Sequence, residues 1–275
     1  MRAVMISIVL ALSVVVSPAA QESGEAARTG TFDQLLELYV RNGDVYYRAI
    51  KSERARVDGY TGQLATASID KLSREEQLAF WLNAYNALVL RTVADHYPIQ
   101  GRSTQYPAKS IRQVSGAFER LPHRVAGRTL TLDQIEETVL SGFHDPRVYF
   151  ALGRGASGSG RLRSEAFTPA RLEAQLADVA AECVTRAQCL TIDRENGKVG
   201  ASSIFSWREK DFAAAYPDKA PAALATRSAI ERAVIAFVLP KLVASEKEFI
   251  AMNTFQLTYS KFDWTLNDLT GRGGR

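Results

Sequence analysis

Residues 73–96 read SREEQLAFWLNAYNALVLRTVADH, and this stretch decides the fold. Ser73 followed three residues later by Glu76 is a capping box: the hydroxyl satisfies a first-turn N–H while the carboxylate reaches back to the cap. Tyr97-Pro98 ends the helix, because the residue before a proline avoids the helical region. The middle, LAFWLNAYNALVL, is apolar nearly all the way round, as expected of a central helix covered on most sides. Asn83 and Asn86 interrupt it three residues apart, on one face. A buried amide must find partners, so the pair is expected to hold a loop in place; direct contact with a substrate is the alternative.

The flanking sequence supplies the segments that pack on this helix. Phe32, Leu35, Leu36, Tyr39 and Val40 repeat at helical spacing until Asn42-Gly43-Asp44, and a second helical pattern covers 57–64. A short hairpin is expected at 125–130 around Ala126-Gly127. Thr131-x-x-Gln134 then opens an amphipathic helix with Leu132, Ile135, Val139 and Leu140 inward. The run Val148, Tyr149, Phe150 reads as a short strand. Thr168-Pro169 starts a helix with proline in its first turn, and Glu195-Asn196-Gly197 marks a hairpin. Helical patterns cover 206–216 and 220–244, the second kinked or ended by Pro240, before a last strand at 254–262. The expected class is α+β: one helix-rich domain over 31–270, with a small, mainly antiparallel sheet packed on the long central helix.

The chain's 275 residues carry a net charge of +4. Arg2, the apolar run 3–16 and the small residues at 17–20 form a signal peptide over 1–20, too short to span a bilayer. Residues 21–30 are polar and expected to be a flexible start. Export to the periplasm or outside the cell is therefore expected, with no later membrane span. Cys183 and Cys189 are expected to pair in that oxidising setting. Only His96, His123 and His144 are present, none near the cysteines, so no metal site is expected. The charge is mild and no basic run carries interleaved aromatics, which argues against nucleic acid and leaves a weak attraction to anionic envelope polymers.

Residues 144–163, HDPRVYFALGRGASGSGRLR, are the candidate site. Arginine forks suit carboxylates and phosphates, so Arg147, Arg154 and Arg161, with Ser157 and Ser159 on a glycine-rich loop, are read as binding an anion. His144 and Ser159 are the candidate base and nucleophile of a hydrolase or transferase, in which the His ring must reach the Ser oxygen. His144 equally suits a helix-capping corner with Pro146. Gly153-x-Gly155-x-x-Gly158 matches a dinucleotide fingerprint without the strand-helix context it needs, so no cofactor is expected. Asp263 and Asn267 are polar residues in an apolar setting, read as partners of Asn83 or Arg147, and Asp263 is also a candidate ligand-binding residue.

Several segments, in order, resemble the domain-of-unknown-function 547 family: GDVYYRAI at 43–50, EEQLAFWLNAYNALVL at 75–90, Ser110-Ile111, LTLDQIEETVL at 130–140, HDPRVYFAL at 144–152, SSIFSWREKDF at 202–212 and FDWTLNDL at 262–269. The resemblance implies a family of exported bacterial proteins whose chemistry is not established. Many of its members carry a segment like CGANSCPPL after the FAL triplet. Here GRGASGSGRL takes its place, with Arg154 and Ser159 at the two cysteine positions. The resemblance thus leaves two readings: a ligand-binding cleft at 147–163, catalytic or not, and a non-catalytic binding or assembly module of the cell envelope.

Overall fold

The structure, a computed structural model, describes residues 18–216 and 219–271. Residues 1–17, which hold most of the signal peptide expected over 1–20, lie outside the described residues. The described residues open with α1 (Pro18–Tyr39), so residues 21–30, expected from composition to be a flexible start, are helical. Phe32, Leu35, Leu36 and Tyr39 are buried along one face, and a helix anchored by such a stripe extends readily into preceding Glu and Ala residues. Asn42 and Gly43, with φ of 53° and 87°, turn the chain between β1 (Val40–Arg41) and β2 (Asp44–Val45). Then come α2 (Tyr47–Ser52) and α3 (Ala55–Ala65).

The axis of the domain is α4 (Arg74–His96). Its cap is the expected box: Glu76 N donates to Ser73 Oγ at 3.2 Å, and Ser73 N donates to Glu76 Oε2 at 2.7 Å. Every residue from 78 to 90 is buried, covered by α1, α2, α3 and the segment after the next hairpin. That hairpin, β3 (His123–Val125) with β4 (Arg128–Leu130), turns through Ala126 and Gly127, both at positive φ as a tight hairpin turn requires. Thr131 caps α5 (Leu132–Gln134), which widens into a π-helical stretch over Ile135–Leu140. Glu136, in this stretch, is only 3% exposed.

The expected strand at 148–150 is instead one helical turn, α6 (Val148–Ala151). Val148, Tyr149 and Phe150 donate their N–H groups back to Asp145, Pro146 and Arg147 carbonyls, so the segment needs no partner strand. Their β-branched and aromatic side chains serve burial: Phe150 packs its ring against Phe205, Phe212 and Phe237 at centroid distances of 5.0, 6.0 and 5.5 Å.

A 3₁₀ turn at Pro169–Arg171 leads into α7 (Leu172–Thr185), and the hairpin β5 (Leu190–Asp193) with β6 (Lys198–Ser202) comes next, as expected. The 206–216 helix is two pieces, α8 (Ser203–Trp207) and α9 (Glu209–Ala215). The long helix expected over 220–244 is shorter. Ser228 and Glu231 form another capping box that starts α10 (Ala229–Val238), and Pro240 stands in the 3₁₀ turn that closes it. After α11 (Ala244–Ala251), β7 (Gln256–Ser260) pairs parallel to β6. The fold is α+β, with strands in two small hairpins and one mixed sheet of order β5-β6-β7. The mixed sheet packs principally on α7 and α8 rather than on α4.

The last described segment returns to the beginning of the domain. Val45 N donates to Asn267 O at 2.8 Å, Tyr47 Oη to Asn267 Oδ1 at 2.8 Å, and Asn267 Nδ2 to Gly43 O at 2.7 Å. Asp263 Oδ1 accepts from Thr265 N at 2.9 Å. Both polar residues are therefore engaged locally or with the first hairpin, and neither bonds Asn83 or Arg147 as expected.

Candidate functional site: a buried loop and an open cationic cleft

Loop 152–160, the centre of the 147–163 segment read from sequence as a ligand-binding cleft, runs through the interior. All of it is buried except Ser157 and Gly160, which are partly covered. The two asparagines of α4 carry it. Asn86 Nδ2 donates to Ala151 O at 3.1 Å while its Oδ1 accepts from Gly153 N at 2.8 Å. Asn83 treats Phe167 in the same way, donating to its carbonyl at 2.8 Å and accepting from its N–H at 2.9 Å. Each side-chain amide stands in for the backbone of a neighbouring strand, so these residues hold chain segments in place.

The loop's glycines permit backbone crossings. A Cβ on Gly160 would lie 1.6 Å from Phe150 O, and one on Gly158 would lie 2.7 Å from Asp263 N. Gly158 N and Ser157 N instead donate to Asp263 O and Thr265 O, both at 2.8 Å, so the loop pairs with the C-terminal segment. These two N–H groups thus face protein carbonyls, where the sequence suggested approach to a ligand.

Arg154 is 3% exposed and bound to a carboxylate of its own. Its Nη2 and Nε donate to Glu136 at 2.6 and 3.2 Å, and its Nη1 donates to Tyr149 O at 3.1 Å. Arg208 Nη2 donates to the same Glu136 oxygen at 2.8 Å. Burial raises the Glu136 pKa, but Arg154 and then Arg208 outweigh it and hold the carboxyl below its ordinary value. The node is an internal ion cluster.

Ser159 is also buried. Its Oγ accepts from Arg154 N at 3.0 Å. It lines a cavity of about 10 Å³ with Gly160 and the Cys183–Cys189 disulfide, room for little more than a water. Arg186 Nη1 donates to Ser159 O at 3.3 Å. Arg161 Nη2 donates to Asn42 Oδ1 at 2.9 Å, and Nη1 meets Glu182 at 3.5 Å.

His144 and Arg147 lie elsewhere. His144 is exposed, sits at φ 53° and ends the 3₁₀ turn Ser141–Phe143, as a capping corner would. It lines an open cleft of about 570 Å³ with Arg74, Asp145, Arg147, Lys219 and Lys241. Ser159 is not among the residues of that cleft, and no hydrogen bond joins the two side chains. The base and nucleophile expected from sequence are thus not brought together. Arg147 makes forked contacts with Asp145 and Glu173 at 2.7–3.1 Å, and these carboxylates, Glu173 foremost, keep it charged. Lys241 Nζ donates to Phe237 O at 2.8 Å; burial, then Arg147, lowers its pKa.

Sequence reasoning missed Glu136, Arg208, Arg74, Lys219 and Lys241. Glu136 could have been found as a charge beside the apolar stripe of an amphipathic helix. The cleft cations carry no such signal.

Fold and site together define a helix-rich α+β domain with a buried arginine–carboxylate node and a separate open cationic cleft. Residues 69–184, spanning α4 through most of α7, match the family model described as "Protein of unknown function, DUF547", and the chain resembles that family. No curated protein and no solved structure matches it. Among the described residues no helix is long and apolar enough to cross a membrane.

Proposed function

We propose that this protein is an exported binding module for an anionic ligand of the cell envelope, with its site at the His144 corner. Four arginine and lysine side chains (Arg74, Arg147, Lys219, Lys241) against one carboxylate (Asp145) around an open cleft are the observation that carries this reading. Arg147 is held by Asp145 and Glu173, so Arg74, Lys219 and Lys241 are the cations assigned to the ligand. The lowered pKa of Lys241 supports this, since it marks an ammonium that a ligand carboxylate or phosphate would relieve. The signal-like first twenty residues and the disulfide support export. Binding is favoured over hydrolysis because Ser159 is enclosed and, among the described residues, no hydrogen bond joins its hydroxyl to His144.

The test is a thermal-shift titration of the purified protein with phosphate, citrate and galacturonate. A ligand that binds the folded state raises the unfolding temperature with concentration. Lys219→Glu should weaken binding about tenfold or more at low salt, and the effect should shrink as salt rises. If no anion shifts the transition, or if Lys219→Glu leaves the shift unchanged, the reading fails.

A further inference from the structure

The cationic cleft does not stand alone. A second open cavity, of about 700 Å³, lies on the other side of Arg74 and Phe143, which line both. Arg74 bridges the ridge between them: its Nη2 donates to Phe143 O, and its guanidinium lies 5.2 Å from the Phe143 ring centroid. The second cavity has a different lining. Trp81, otherwise buried in α4, reaches it, and the Arg128 guanidinium sits 4.9 Å from the Trp81 ring centroid. Asp70 and Gln77 line it as well. Gln77 Nε2 donates to Leu72 O at 2.8 Å, so Gln77 is held in place and brings an amide oxygen as acceptor.

From this we infer that the two cavities form one groove for an acidic oligosaccharide, with one uronic-acid unit at the Lys219–Lys241 lobe and another at the Arg128 lobe. The inference rests on the anion-binding reading and names the ligand class. Charge complementarity calls for acid groups at both ends, with Arg74 between them. Stacking on Trp81 limits the conformations of the Arg128 fork, which suits paired bonding to a carboxylate. Asp70 and the Gln77 oxygen decide between a sugar and a peptide. Both are acceptors and need donors, which sugar hydroxyls supply in number. An acidic peptide offers one backbone N–H donor per residue, against several hydroxyls on each sugar ring.

The experiment is calorimetric titration of the full mature chain with galacturonate, tetragalacturonate, a neutral tetrasaccharide and tetraglutamate. Tetragalacturonate should bind at least about tenfold tighter than the monomer, because its second unit binds intramolecularly. Arg128→Ala, at an exposed side chain, should remove most of that gain and reduce monomer binding to the Lys219–Lys241 lobe alone. Lys219→Glu should weaken both. If monomer and tetramer bind alike and Arg128→Ala changes neither, the groove inference is overturned while the anion site stands. If tetraglutamate binds as tightly as tetragalacturonate, the sugar assignment is overturned. If neither acidic sugar binds, the sugar inference is overturned, and the anion-binding reading stands or falls with phosphate and citrate in the thermal-shift titration.

Discussion

Glu136 Oε1 accepts from Arg154 Nη2 at 2.6 Å with both side chains almost wholly buried, and this pair stands where sequence suggested an exposed anion receptor. Removing one member of such a pair leaves an uncompensated internal charge. Glu136→Gln is therefore expected to destabilise the domain by about 3–5 kcal/mol, read as a lower urea midpoint at unchanged m. Arg154→Ala leaves Glu136 still paired with Arg208, so its loss should be smaller. A double variant that loses less than the sum would confirm that the two act as a unit; an additive double variant would contradict it.

Asn86 satisfies Ala151 O and Gly153 N together. Asn86→Leu leaves both unpaired in the interior, at a cost of about 1–3 kcal/mol for each. Hydrogen exchange at the Gly153 amide should accelerate more than at amides elsewhere in α6 and the loop. Asn86→Asp keeps the acceptor and loses the donor, so it should protect Gly153 while still lowering the melting temperature.

His123 on β3 is 9% exposed, and its Nε2 has no hydrogen-bond partner. Burial first, then the nearby Arg91, lowers its pKa from the ordinary 6.5 to about 4, against a smaller opposing effect of Asp95. The folded domain thus keeps the imidazole neutral where the unfolded chain would protonate it. The stability it contributes is fully present above pH 6.5 and is lost as the pH falls from there toward 4, at up to roughly 1.4 kcal/mol per pH unit. Denaturation across this window should show a slope for the parent chain that is missing from His123→Phe. Parallel curves for the two proteins would refute the assignment.

Gly160 and Ser159 are neighbours with opposite tolerances. Gly160→Ala would force its Cβ into Phe150 O, and loss of soluble folded protein is expected. Ser159→Ala removes one acceptor for Arg154 N, a change of about 1–3 kcal/mol, and should leave anion binding intact. Loss of binding in a folded Ser159→Ala protein would return the site to the loop.

The long helix was legible in sequence because its information is local: Ser73 and Glu76 cap it, Tyr97-Pro98 ends it, and the apolar run between them has nowhere to go but inside. The hairpin turns at Ala126-Gly127 and Glu195-Asn196-Gly197 were legible for the same reason. Val148, Tyr149 and Phe150 misled because strand preference mostly reports fit to a packed surface, and the Phe205–Phe212–Phe237 cluster offers that fit to a helical turn equally well. The role of Asn83 and Asn86 in holding backbone could be argued from sequence; the segments they hold, 65 to 84 residues away, could not. Arg154 misled because four nearby arginines in the primary sequence say nothing about which meets a carboxylate inside. Arg74, Lys219 and Lys241 come from three distant segments and share no motif, so only the folded chain brings them together.

The paired amides on α4 also set a phase. Each residue added to or removed from a helix rotates the remainder of that helix by about 100°, so a single insertion between Asn83 and Asn86 would point one amide away from its segment while the other stayed in place. Chain length is therefore constrained there more tightly than side-chain identity at the apolar positions between them. Ala84 can be exchanged for a residue of similar volume, whereas Tyr85 donates to the buried Glu136, and the number of residues separating the two asparagines cannot change without releasing either the loop at 151–153 or the turn at Phe167.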